Sequence, residues 1–138
     1  MTFNHKDAIQ DIKNRFNVQL YMSHKHIKRY IERLLLEDGD DIADIREMIE
    51  DEWRFRYRPD AFRIDRENRE VHLYEVEDFH RMGINRLAHY YNFMDWLGNF
   101  GIESILHVFN RFGTETVFYT GDLLKPWFEY HNRGCVVT

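Results

Sequence analysis

The run Ile64-Asp65-Arg66-Glu67-Asn68-Arg69-Glu70-Val71 constrains this chain most. Six consecutive polar residues between two β-branched ones are turn chemistry, with Asn68 available for a left-handed position. The flanking segments alternate in the manner of strands, so the stretch predicts a β-hairpin. A turn centred on Glu67 and Asn68 pairs Ile64 with Val71, Phe62 with Leu73, Asp60 with Glu75 and Arg58 with Glu77. Strand side chains alternate faces, so Asp60, Phe62, Ile64, Val71, Leu73, Glu75 and Glu77 share one. That face is apolar near the turn and acidic at the far end. Directly opposed residues have Cβ atoms roughly 5 Å apart, and carboxylates that close repel unless a cation lies between them. Oxygen-only ligands of this kind suit Mg²⁺ or Mn²⁺. The plainer alternative is a surface hairpin whose acids pair with Arg58, Arg63 and Arg81. A face reading Phe-Ile-Val-Leu heads into a core, which puts its acids at the core's edge, where unpaired burial is costly.

At 138 residues the chain is expected to form one domain with a real core. A hydrophobic content of 43% argues against disorder despite the 31% charged fraction. The net charge of −5 disfavours holding nucleic acid by bulk electrostatics and leaves room for a local basic groove. Cys135 is the only cysteine, which excludes an intrachain disulfide and a cysteine-based zinc site. No apolar run approaches the roughly 20 residues of a membrane span, and the N-terminus lacks a signal-peptide core. The expectation is a cytoplasmic protein with no membrane contact.

Helical spacing predicts short helices over Lys6 to Phe16 and, after a Ser23 cap, through Ile27, Tyr30, Ile31, Leu34 and Leu35. The second helix carries Lys25, Lys28, Arg29 and Arg33 on its outer face. Asp40 or Asp41 can cap a third helix through Ile42, Ile45, Met48 and Ile49. The alternation Trp53-Arg54-Phe55-Arg56-Tyr57-Arg58 predicts another strand. Arg81 to Leu97 reads as a helix with Ile84, Leu87, Ala88, Tyr91 and Met94 on one face, ended by Gly98 and Gly101. Ile105 to Phe109 and Thr116 to Tyr119 read as strands, and Asp122 to Tyr130 as a last short helix. This order predicts helices packed on a small sheet, an α/β or α+β layer fold.

With Pro59-Asp60 at the start of one strand and Glu75-Val76-Glu77 at the end of the next, the chain resembles the PD-(D/E)xK nuclease superfamily. The match covers roughly residues 45–110 and looks most like small phage and plasmid members. The resemblance implies a restriction-endonuclease-like α/β fold: helix, three-stranded meander, helix, strand. A helical segment over 1–38 precedes that core, and a strand and tail over 111–138 follow it. It further implies Mg²⁺ or Mn²⁺ held by Asp60, Glu75 and Glu77, with an acid from the preceding helix, Glu50 ahead of Glu47. DNA is the implied partner. The chain departs from the pattern at Glu77, where the family commonly has lysine, and no lysine lies between Lys28 and Lys125. Arg81 or Arg86 could supply positive charge but not proton acceptance.

Under this reading Asp60 and Glu75 hold the ion, and Glu77 is a third ligand or the general base. Arg54, Arg56 and Arg58 grip phosphate. Arg81, Asn85 and His89 form an i, i+4 stripe facing DNA, and His80 lies just past the strand. Two other readings compete. One is a regulator whose helix 23–36 enters the major groove. The other is a nuclease fold without chemistry, working through protein contacts as a phage inhibitor or accessory subunit. A protein partner or a second copy of the chain is therefore also a candidate.

Overall fold

The computed structural model of the chain describes residues 5–16, 19–20, 24–36, 41–55, 59–77, 83–110 and 112–132. Its strands are β1 (Gln19–Leu20), β2 (Ala61–Asp65), β3 (Glu70–Val76), β4 (Glu103–Phe109) and β5 (Glu115–Tyr119). Its helices are α1 (His5–Phe16), α2 (His24–Leu36), α3 (Ile42–Glu52), α4 (Ile84–Gly98) and α5 (Leu124–His131), the last preceded by a 3₁₀ turn over Thr120–Leu123. The fold is mixed α/β.

The β2–β3 hairpin has the predicted register, with Ile64 opposite Val71 and Phe62 opposite Leu73. Its left-handed residue is Arg69 (φ 52°) rather than Asn68. Asn68 is drawn the other way, because its amide and its Nδ2 both donate to the Asp65 carboxylate, at 3.1 and 2.9 Å. Arg69 is held in turn by its guanidinium on the Phe100 carbonyl (3.0 Å) and by the Glu103 amide on its own carbonyl (3.1 Å). These bonds dock the turn against the start of β4.

The sheet runs β1-β2-β3-β4-β5, antiparallel except for β3 and β4, which α4 connects in parallel. β3 is buried from Val71 to Val76, as a central strand covered on both faces must be. On one face Phe62, Val71, Leu73 and Leu106 meet Ile31, Leu34 and Ile49 of α2 and α3 and Met94 and Leu97 of α4. On the other, Ile12 of α1 packs on Ala61, Tyr74, Val76 and Phe109. Asp41 caps α3 by accepting the Ala43 amide at 2.8 Å, one of the two predicted caps. No helix among the described residues is long and apolar enough to cross a membrane.

The strand predicted over 53–58 is not formed in its described part, since Trp53 to Phe55 lack regular structure. The alternation serves packing instead. Trp53 and Phe55 turn inward and meet Phe93 and Trp96 at ring separations of 5.0 to 5.6 Å, while Arg54 stays exposed. The place beside β2 is taken by β1, a strand the sequence did not announce. The buried stripe of α4 is rotated from the predicted one: Leu87, Ala88 and Met94 are buried as expected, Tyr90, Phe93 and Leu97 join them, and Ile84 and Tyr91 are only half-buried.

Candidate active site

The acidic end of the hairpin is built by an irregularity. The ladder stops at Ala61 opposite Tyr74, and the next amide, that of Asp60, bonds back to the Tyr74 carbonyl at 2.9 Å. The Asp60 carboxylate then accepts the Val76 amide at 2.8 Å. This bond fixes Asp60 against the end of β3 and beside Glu75, on which it acts both as a charge and as a hydrogen-bond partner.

Glu75 is 5% exposed, on the face of β3 that looks toward α4. The Tyr90 hydroxyl donates to its Oε1. Burial first, and then the Asp60 charge, push the Glu75 carboxyl up to about 8, against the opposing pull of Tyr90 and Arg86. Near neutral pH Glu75 therefore keeps its proton. Tyr90 is itself driven well above the usual phenol range, by burial and then by the Glu75 charge. Glu77, two residues on, pairs with Arg86 of α4.

A simple match of periods explains this double contact. Arg86 and Tyr90 lie four residues apart on a helix, a rise of about 6 Å. Glu77 and Glu75 lie two apart on a strand, a rise of about 6.6 Å. One helix face therefore serves both acids. Tyr90 was missed as a site residue by sequence reasoning, and its only signal was the i, i+4 relation to Arg86.

The other predicted residues lie elsewhere. Glu50 is exposed and accepts from Lys28 Nζ at 3.1 Å, so it faces α2. Arg54 donates to the Trp53 carbonyl at 3.0 Å and the Glu50 carbonyl at 3.4 Å, closing the end of α3. Arg56, Arg58, His80 and Arg81 fall outside the described residues. Asn85 and His89 are exposed on the outer side of α4. His89 also lines a narrow crevice, with room for little more than a water, beside Ile27, Trp53, Phe55, Pro59, Tyr90 and Phe93. That crevice shares Tyr90 with the carboxyl pair.

Among the described residues no three His, Cys, Asp or Glu side chains are arranged to hold a metal ion. The expected trio does not converge, because Arg86 engages Glu77. The remaining pair, Asp60 and Glu75, still offers the hard oxygen donors that Mg²⁺ accepts in ones or twos from protein, with water and substrate oxygens completing its shell. No family model, no curated protein and no solved structure matches this chain.

A second polar cluster lies on the opposite sheet face. His72 Nδ1 faces His107 Nε2 at 2.9 Å, and His107 Nδ1 meets Glu115 Oε1 at 2.6 Å. The two ring centroids are 5.2 Å apart with planes tilted by 25°, so the nitrogens meet edge to edge and share a proton. Burial, then Arg63 and His107, lower His72 to about 4. The chain links β3, β4 and β5 and takes no part in the carboxyl site.

Proposed function

We propose that the protein is a divalent-metal-dependent phosphodiester hydrolase acting on DNA, with Asp60 and Glu75 as the metal-holding pair. The observation that carries this reading is the placing of the Asp60 carboxyl, held by the Val76 amide, beside the buried Glu75 carboxyl at the carboxyl end of β3, where the parallel strands β3 and β4 both terminate. The order α3, β2–β3, α4, β4 keeps the helix, hairpin, helix, strand part of the pattern that the nuclease resemblance implies, but the meander has two strands instead of three, and the place beside β2 is filled by β1, which precedes α2 in the chain.

Hydrolysis needs a deprotonated water and an offset for charge growing on the phosphate. A divalent ion supplies both when bound, lowering the pKa of water and polarising the phosphoryl oxygen. Asp60 is held in place by the Val76 amide, so its carboxylate is preorganised. Glu75 must release its proton to act as a ligand, which links ion affinity to pH. The Tyr90 hydroxyl orients Glu75. Arg86, with its side chain 39% exposed, presents a guanidinium at the site's mouth that can grip a phosphate oxygen. Glu77, expected as ligand or base, then acts by orienting Arg86.

The Arg86–Glu77 pair also favours a second reading. An acid where the nuclease pattern has lysine, neutralised by arginine, fits a fold that has lost its chemistry and works through a protein partner. Cleavage of plasmid and single-stranded DNA with Mg²⁺ or Mn²⁺ separates the two. The first reading requires cleavage that Asp60→Asn abolishes, and the second requires none by the wild type.

A further inference from the structure

The His72–His107 pair, apart from the carboxyl site, has the parts of a metal chelate. In the parallel register of β3 and β4, His107 stands opposite Tyr74, and His72 reaches it on the diagonal. Tyr74 stacks on the His107 ring, with centroids 4.7 Å apart and planes within 10°, which fixes the imidazole plane. The two histidine side chains are 11% and 12% exposed, so both rings are held in place yet border on solvent.

The groups at the outer nitrogens decide what the inner nitrogens present. An ionised carboxylate only accepts, so Glu115 Oε1, 2.6 Å from His107 Nδ1, keeps that ring's proton on Nδ1. In the neutral ring His107 Nε2 then turns a lone pair toward His72. Glu70 Oε1 lies 4.0 Å from His72 Nε2 and draws the second ring's proton outward in the same sense. With both protons outside, two lone pairs meet across 2.9 Å, an arrangement that needs a cation between them. A shared proton is one such cation, and a metal ion is the other. A carboxylate behind a ligating imidazole is also the usual support of a histidine–metal bond.

We propose that His72 Nδ1 and His107 Nε2 chelate a divalent transition-metal ion, Ni²⁺ or Cu²⁺, with Glu115 and Glu70 as positioning residues. Imidazole nitrogens bind such ions at about 2.0–2.1 Å, so nitrogens this close subtend about 90° at the ion. That is the angle between neighbouring positions in the tetragonal and square-planar geometries of Ni²⁺ and Cu²⁺. Water fills the remaining positions, so two side chains suffice. Arg63, across from His72 on β2, opposes a cation, but its guanidinium is turned onto the Tyr74 hydroxyl at 3.5 Å, and the two carboxylates outweigh it. Mn²⁺ stands lowest in the affinity order of these metals and prefers oxygen, so the choice of ion separates this site from the carboxyl pair. The proposal does not rest on the reading of that pair.

The test is calorimetric titration of the untagged full chain with Ni²⁺ near neutral pH, in excess Mg²⁺ to occupy the carboxyl pair. Wild type and Asp60→Asn should each bind one ion, and His107→Ala none. Glu115→Ala should bind about 10–100-fold more weakly. Far-UV circular dichroism checks that each variant is folded. No saturable binding by wild type, or binding that His107→Ala leaves unchanged, overturns the proposal. A second measurement uses wild type alone. Substoichiometric Cu²⁺, which is paramagnetic, should broaden the ring resonances of His72 and His107 before those of the exposed His89 and His131. Broadening that begins at the exposed histidines overturns the proposal as well.

Discussion

Asp60 reaches past the end of its own strand to take the Val76 amide, and this sets its carboxyl beside that of Glu75. The contact is at once a structural cap and an electrostatic conflict. It ties β2 to the end of β3, and it leaves two acids sharing one largely buried place. The account of the site rests on that conflict.

Its first consequence is a pH dependence of stability. Glu75 titrates near 4.5 when unfolded and near 8 in the fold, so the folded protein keeps a proton that the unfolded chain releases. The stability this contributes is fully present below pH 4.5 and is lost as pH rises toward 8. Glu75→Gln cannot lose that proton. Urea titrations across this window should show the variant gaining on wild type as pH rises, by on the order of a few kcal/mol. A constant difference would show that Glu75 is an ordinary carboxylate.

Tyr90→Phe should act in the opposite sense to Glu75→Gln. It removes the hydroxyl that donates to Glu75 while keeping the buried ring. The expected cost is about 1–3 kcal/mol at alkaline pH, where Glu75 is charged, and less at acid pH. Carboxyl ¹³C shifts should show Glu75 titrating higher than in wild type, since the lost bond favoured the ionised form.

His72 gives a separate acid-side signature. Its value falls from 6.5 to about 4 in the fold, so stability is lost as pH drops from 6.5 toward 4. His72→Asn retains an acceptor near the position of Nδ1 and removes the titration. Its denaturant midpoint should vary less than that of wild type across this window, and equal variation would assign the acid-side loss to other groups.

Leu73 tests the shared core. It is fully buried in the cluster that joins the hairpin to α2, α3 and α4. Leu73→Ala should cost about 2–5 kcal/mol and unfold the domain in a single step. Separate transitions for hairpin and helices would contradict one cooperative core.

Much of this architecture was legible in the residues. The polar run between Ile64 and Val71 fixed the hairpin register, and the period-2 pattern put Asp60 and Glu75 on the face that α4 covers. Periodicity located all five helices, with boundaries shifted by a few residues. What failed was local alternation without a partner. Trp53 and Phe55 alternate like a strand, but their aromatic neighbours on α4 offered better packing than a ladder did. The two-residue β1 carried too little pattern to be seen. The contacts made by Tyr90 and the His72–His107 pair depend on how α4 and β4 dock against β3, and no local pattern encodes that. Glu50 was expected beside the acids only because the resemblance implies an acid from the preceding helix, and it pairs instead with Lys28 of α2.

The central claim, that Asp60 and Glu75 together hold a divalent ion, is tested most directly by calorimetric titration of Mn²⁺ near neutral pH in buffers of different ionisation enthalpy. The account predicts saturable binding by wild type with release of about one proton, because Glu75 must ionise to serve as a ligand. Asp60→Asn should abolish both the binding and the proton release. Binding without proton release, binding unchanged in Asp60→Asn, or no binding by wild type would contradict it.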